Sequence, residues 1–270
     1  MNKLIQTFLY TLRDQTRYKS FFILLAIAAL FVFLVRGCYH MDYVVNGQKV
    51  DSVAFAQHVS NIVFQVICYG MFLMTTLLSM KLFSRDRNDG STVMFLCRPV
   101  HRWQYVLGRI LGTWMLCTLF MMTLHAVIFA ITWSNTGQPV PGFLLASLVS
   151  SVNVLFITVT ACLFSMFMPD FIAALACVGI IGIGFISETG YRIIQSDVFQ
   201  AMSRGNVPTD SSLWRILFPK INMLQFYAGT MINDDAFKGM GYFHPVINVL
   251  IYIVCAGVVL MVVFNRKEVE

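Results

Sequence analysis

The sequence predicts an all-α integral membrane protein with six transmembrane helices. The chain is 58% hydrophobic and only 12% charged, its mean hydropathy is +0.73, and no Asp, Glu, Lys or Arg occurs from Ile110 to Pro169. A soluble domain carries roughly a quarter charged residues. Each helical span needs roughly 20 apolar residues, so most of the 270 residues go into spans. A single membrane domain, 1–270, is expected.

Residues 1–19 read as an amphipathic interfacial helix. Leu4, Ile5, Phe8, Leu9 and Leu12 recur at helical spacing, while Lys3, Arg13, Arg17 and Lys19 supply a basic face. The first span is expected at about 20–36, with Lys19 and Arg36 able to extend outward from its short apolar run. That run exceeds the apolar core of a secretory signal and no small-residue cleavage site follows it, so it reads as an anchor. After a polar loop at 37–58, the second span is expected at about 59–83. The third is expected at about 107–133 and the fourth at about 143–167, separated by the turn cluster SNTGQPVPG at 134–142.

Met168-Pro169-Asp170 breaks the chain before a fifth span at about 171–187. Residues 188–242 mix charges with two apolar pieces, 213–218 and 221–228, each too short to cross. They read as short extracytoplasmic helices, interfacial or re-entrant, with Asp210 and Ser211 as N-cap candidates. A sixth span at about 243–264 precedes a charged end.

Six spans place both termini on one side of the membrane. Twelve of the 19 basic residues fall on that side with six acids, and seven fall on the other side with seven acids. The positive-inside rule then makes both termini cytoplasmic, and with them the connector between spans two and three.

Several chemistries have no motif here. The seven cysteines (38, 68, 97, 117, 162, 177 and 255) include no CxxC pair, and the five histidines include no HExxH spacing. No GxxxxGK[ST] loop is present, so hydrolysis of ATP by this chain itself is not expected.

The connector, 84–106, is longer than a crossing needs. Gly90-Ser91-Thr92 opens a short helix, Val93, Met94, Phe95 and Leu96 make it apolar, and Arg98-Pro99 ends it. Pro99 suits the start of the next helix, where Trp103 and Tyr105 suit a membrane interface. A basic loop that merely sets orientation would share this composition. The pattern, however, resembles the segment between spans two and three of type-2 ABC transporter permeases, approximately E-x3-G-T-x-x-x-L-x-x-P-V-S-R-x-x-x-(V/L)-L-G-K. Asp86 stands for the Glu and Gly90 for the glycine. Pro99, Val100 and Arg102 match the P-V-x-R core, His101 replaces the serine, and Leu107-Gly108-Arg109 matches L-G-K.

The resemblance implies a cytoplasmic coupling helix that docks on a separate ATPase subunit. The docking residues would be Asp86, Gly90, Met94, Phe95, Arg98, Pro99 and Arg102, with Met94 and Phe95 as anchors and the arginines on a polar rim. It implies a permease in a bacterial inner membrane, an exporter working as a homo- or heterodimer with two ATPase copies. ATP and Mg²⁺ would sit on the ATPase, with no cofactor on this chain and no nucleic-acid partner. The alternative is a non-transporting subunit that passes ATPase work to an extracytoplasmic protein. A slighter likeness links LFPKINMLQFYAG at 217–229 to permeases associated with copper-enzyme maturation, including those linked to nitrous-oxide reductase.

Remaining polar residues have two readings. Gln65, His125 and Asn153 fall inside spans, where uncharged polar groups line a translocation path or bond helices together. Cys38, His40 and Met41 are soft ligands in one loop, a metal candidate outweighed by coincidence of composition. The 16 methionines read as adaptable packing.

Overall fold

A computed structural model describes residues 3–17, 22–23, 25–27, 29–30, 33, 44–45, 48–49, 52–84, 101–136, 142–194, 218–233 and 244–266. Its elements are α1 (Lys3–Thr16), strands β1 (Val44–Val45) and β2 (Gln48–Lys49), and helices α2 (Ser52–Met80), α3 (Arg102–Thr136), α4 (Gly142–Phe167), α5 (Asp170–Ile194), α6 (Ile221–Asn233) and α7 (Pro245–Arg266). Among the described residues, five helices are long and apolar enough to cross a membrane: α2 with its continuation to Ser84, α3, α4, α5 and α7. The span expected at 20–36 falls largely outside the described residues. Those described between Phe22 and Phe33 are helical and face outward.

The all-helical class holds, and the one addition among the described residues is a hairpin of two residues per strand, in which β1 and β2 pair antiparallel with Val44 opposite Lys49 and Val45 opposite Gln48. Asn46-Gly47 lies between them, the residue pair most favoured in two-residue hairpins. In addition, α2 begins at Ser52 and α3 runs from 102 to 136, so both overrun the lengths read from apolar content. Helical hydrogen bonding continues into the polar flanks, which hydropathy does not register.

α4 forms the axis, with 61% of its apolar window buried against 22% for α5 and 17% for α7. Two apolar clusters surround it. One holds Phe64, Phe72, Met121, Ile128, Phe143, Ile157 and Leu224. The other, toward the ends at Ser84 and Arg266, holds Leu82, Phe83, Tyr105, Val106, Ile110, Cys162, Leu260 and Phe264. Between membrane helices the attraction is packing, since lipid tails are as apolar as leucine. Several buried hydroxyls are satisfied within their own helices: Thr75 bonds to the Met71 carbonyl at 2.7 Å, and Thr158 to that of Val154 at 2.8 Å. At the α4–α5 corner Pro169 has no N–H to continue the ladder, and its carbonyl accepts the first bond of α5, from Ala173 N at 3.0 Å.

α1 packs against α3 in an unexpected way. Its buried line is Thr7, Thr11 and Gln15, whereas Ile5 and Leu9 face outward and Leu4, Phe8 and Leu12 are half-buried. A Cβ on Gly108 would come within 2.8 Å of Thr7 Cβ, and one on Gly112 within 2.7 Å of Thr11 Cβ. Small residues four apart on both helices permit this close approach. Matching contacts one turn apart also mean that α1 follows the α3 axis here, where a helix lying flat on a membrane surface would cross it.

Candidate functional site

The connector joins Ser84, at the end of α2, to His101, just before α3. Of the implied docking residues, Asp86, Gly90, Met94, Phe95, Arg98 and Pro99 lie outside the described residues, as do Cys38, His40 and Met41. Arg102 is described and exposed. What the structure gives is the frame that holds both ends of the connector.

Each end is tied to a different helix. Ser84 Oγ donates to Asp170 Oδ2 at 2.7 Å, joining α2 to the first turn of α5. Arg102 Nη1 donates to the Asn265 carbonyl at 3.0 Å, joining α3 to the last turn of α7. His101 contributes the carbonyl that opens α3, accepting from Gln104 N at 2.9 Å and Tyr105 N at 3.3 Å. Helical bonding therefore starts two residues after Pro99. Behind the frame, the Phe83 ring lies 6.4 Å from Tyr105 and 5.7 Å from Phe264, and the Tyr105 and Phe264 rings are 6.0 Å apart. Tyr105, expected at a membrane interface, is fully buried in this cluster.

Two turns further along α3 sits Arg109, whose side chain is 0% exposed. Its Nη1 bonds to Asp14 Oδ2 of α1 at 3.2 Å, and its guanidinium lies 5.1 Å from the centre of the Tyr10 ring. A charge is retained at such depth only when paired. The sequence reading missed this pair and the threonine–glycine seam beside it. Small residues spaced by four, Thr7 and Thr11 with Gly108 and Gly112, were the available signal.

The second polar region surrounds α6, which is no surface helix. Ile221, Leu224, Gln225 and Ala228 are buried, and α6 runs antiparallel to α4 and α2. Asn153 Nδ2 donates to the Ile221 carbonyl at 3.0 Å, and Ser150 Oγ to Gln225 Oε1 at 3.0 Å. Gln65 Nε2 donates to the Gln225 carbonyl at 3.3 Å, and the Tyr69 hydroxyl bonds to Asn222 Oδ1. Asn248 Oδ1 accepts from Lys220 N at 3.0 Å, capping the start of α6 from α7. Asn153 lies about 21 Å along α4 from its Phe167 end at 1.5 Å per residue. The start of α6 thus faces the inner length of a helix long and apolar enough to cross a membrane, away from the ends of that helix. Irregular backbone at such depth requires protein partners, and these five bonds supply them. α6 is therefore an interior helix of the bundle, held by α2, α4 and α7.

The structure brings Gln65 and Asn153 together on α6 but places His125 beside them on a separate set of contacts. His125 Nδ1 lies 2.7 Å from Ser147 Oγ and its Nε2 3.9 Å from Cys68 Sγ. Its ring stacks on Phe64 at 4.7 Å. These contacts link α2, α3 and α4. Asn153 Oδ1 and Gln225 Nε2 are buried without a hydrogen-bond partner among the described residues. Replacing Ser150 and Asn153 together (Ser150→Ala, Asn153→Leu) removes two of the five bonds. Interhelical bonds in membranes are each worth about 0.6–1.7 kcal/mol, so the detergent unfolding free energy should fall by about 1–3 kcal/mol. An unchanged unfolding transition would show that α6 is held by packing alone.

Five apolar spanning helices closed around a buried half-helix define a polytopic α-helical membrane protein. The family model described as ABC-2 family transporter protein matches residues 10–269, so the chain belongs to that family. It is a membrane component of an ABC transporter. No curated protein matches the chain significantly.

Proposed function

We propose that this chain is the permease subunit of an ATP-driven exporter in a bacterial inner membrane, with both termini cytoplasmic. It pairs with a second permease subunit, and two copies of a separate ATPase, carrying ATP and Mg²⁺, dock on the 84–106 connector. The carrying observation is the frame. Both ends of the connector are hydrogen-bonded to other spans, Ser84 to α5 and Arg102 to α7, so a push on the connector reaches four helices. The basic residues gathered at this end, among them Lys81, Arg102, Arg109 and Arg266, support its cytoplasmic placement.

The test combines Phe95→Asp with Arg102→Glu, which removes an apolar anchor and reverses a rim charge. Co-purified ATPase should fall at least about tenfold, the loss expected when one central anchor worth about 2 kcal/mol is removed. Undiminished co-purification would overturn the docking assignment.

A second reading is supported by α6. Its bonds to α2, α4 and α7 connect the spans to the 188–242 segment, the route by which a non-transporting subunit would pass work to an extracytoplasmic protein. Transport into vesicles with substrate-stimulated ATPase activity favours the exporter; ATPase activity that answers only to the extracytoplasmic protein favours the alternative. The translocation-path role of Gln65, His125 and Asn153 draws its support from the polar groups gathered between α2, α3, α4 and α6, with Asn153 Oδ1 buried among them.

A further inference from the structure

We propose that Asp14 and Arg109 are positioning residues for coupling, clamping α1 to the first turns of α3 so that the two helices move as one body when the connector is pushed. This rests on the docking reading above; it adds Asp14, which lies outside the connector pattern, and gives a role to Arg109, which the pattern only matches to a lysine. Three independent observations converge. Arg109 is fully buried, and its guanidinium bonds to Asp14 at 3.2 Å. The rings of Tyr10 and Tyr105, one from each helix, lie 5.1 and 6.0 Å from that guanidinium, which favours a cation between them. On the same seam, Thr7 and Thr11 sit against Gly108 and Gly112 so closely that no side chain fits between the backbones.

Position gives the clamp its role. Arg109 lies seven residues beyond Arg102, about 10 Å along α3 at 1.5 Å per residue, on the helix that receives the connector. The outward side of α1 presents Ile5 and Leu9 to the surroundings. A helix dragged by α3 therefore carries an apolar stripe through the lipid with it. Without the ion pair, α1 would stay with the lipid as α3 tilts, and part of each push would be lost in sliding along the seam.

The test uses the complex with its ATPase in nanodiscs. Spin labels are placed at Gln6→Cys on α1 and Thr123→Cys on α3, both exposed positions, in a chain whose other cysteines are replaced. The wild-type pair should give one narrow distance distribution, the same without nucleotide and after vanadate trapping of ATP. With Asp14→Asn the distribution should at least double in width and differ between the two states. The double reversal Asp14→Arg with Arg109→Asp should restore the narrow one. A merely structural pair would not make the distance depend on nucleotide. A wild-type distance that shifts on trapping overturns the clamp, and so does an Asp14→Asn distribution as narrow as wild type. Should Asp14→Asn fail to assemble, the wild-type comparison alone decides. Failure of the ATPase to co-purify with the wild-type chain instead overturns the docking reading, and the coupling role with it.

Discussion

Gly142→Ala should destabilise the subunit by about 3 kcal/mol, the upper end of the usual overpacking range. Gly142 is the first residue of α4, and a Cβ there would overlap the carbonyl oxygen of Met231 on α6. The obstacle is backbone, so no side-chain rotation relieves it. α6 must withdraw, and the bonds from Ser150 and Asn153 stretch with it. Gly70→Ala is the internal control. It lies in α2 with nothing within 4 Å of an added Cβ, so it should be neutral or gain about 0.5–1 kcal/mol of helix propensity. Thermal unfolding in detergent compares the two, and equal midpoints would mean that the α4–α6 approach is looser than described.

The second large effect concerns the α1–α3 seam. Gly108→Leu with Gly112→Leu should displace α1. The atoms in the way, Thr7 Cβ and Thr11 Cβ, are fixed to the α1 backbone. Overpacking at each position costs about 1–3 kcal/mol, and every 1.4 kcal/mol is a factor of ten in the open population. Trypsin cleavage after Arg13 and Arg17 should therefore accelerate by an order of magnitude or more. Leucines at Gly179 and Gly182 of α5, where nothing lies within 4 Å, should leave that rate alone. Cleavage that stays slow in the double variant would sink the close-packed seam.

The sequence made the spans legible because transfer into lipid depends on composition, which hydropathy sums directly. Apolar runs placed α2, α3, α4, α5 and α7 to within a few residues wherever a break such as Met168-Pro169 was strong. The course of α6 was only half legible. Its 13 residues are too few to cross, and whether such a piece floats at a surface or sinks into a bundle depends on partners far away in sequence. Tyr69, Asn153 and Asn248 decide it, and they lie on three different helices. α1 misled for another reason. Its apolar and basic residues read as an interfacial helix and said nothing of a contact with α3, because in lipid it is the small residues that mark helix contacts. Thr7 and Thr11 therefore turn inward while Ile5 and Leu9 turn out. The family resemblance came from a local pattern, Pro99, Val100, Arg102 and Leu107-Gly108-Arg109, of which Gly108 and Arg109 prove to hold α1.

The capping of α6 sets the order in which the molecule is completed during synthesis. The partners of α6 on α2 and α4 precede it in the chain, but Asn248, which caps Lys220 N, is made afterwards. A half-helix has no means of settling into lipid alone, because the groups at its buried end would go unpaired. Its seat is finished only once α7 has entered the bilayer. The seat of α6 is thus completed from its C-terminal side by α7, after α2 and α4 have been made.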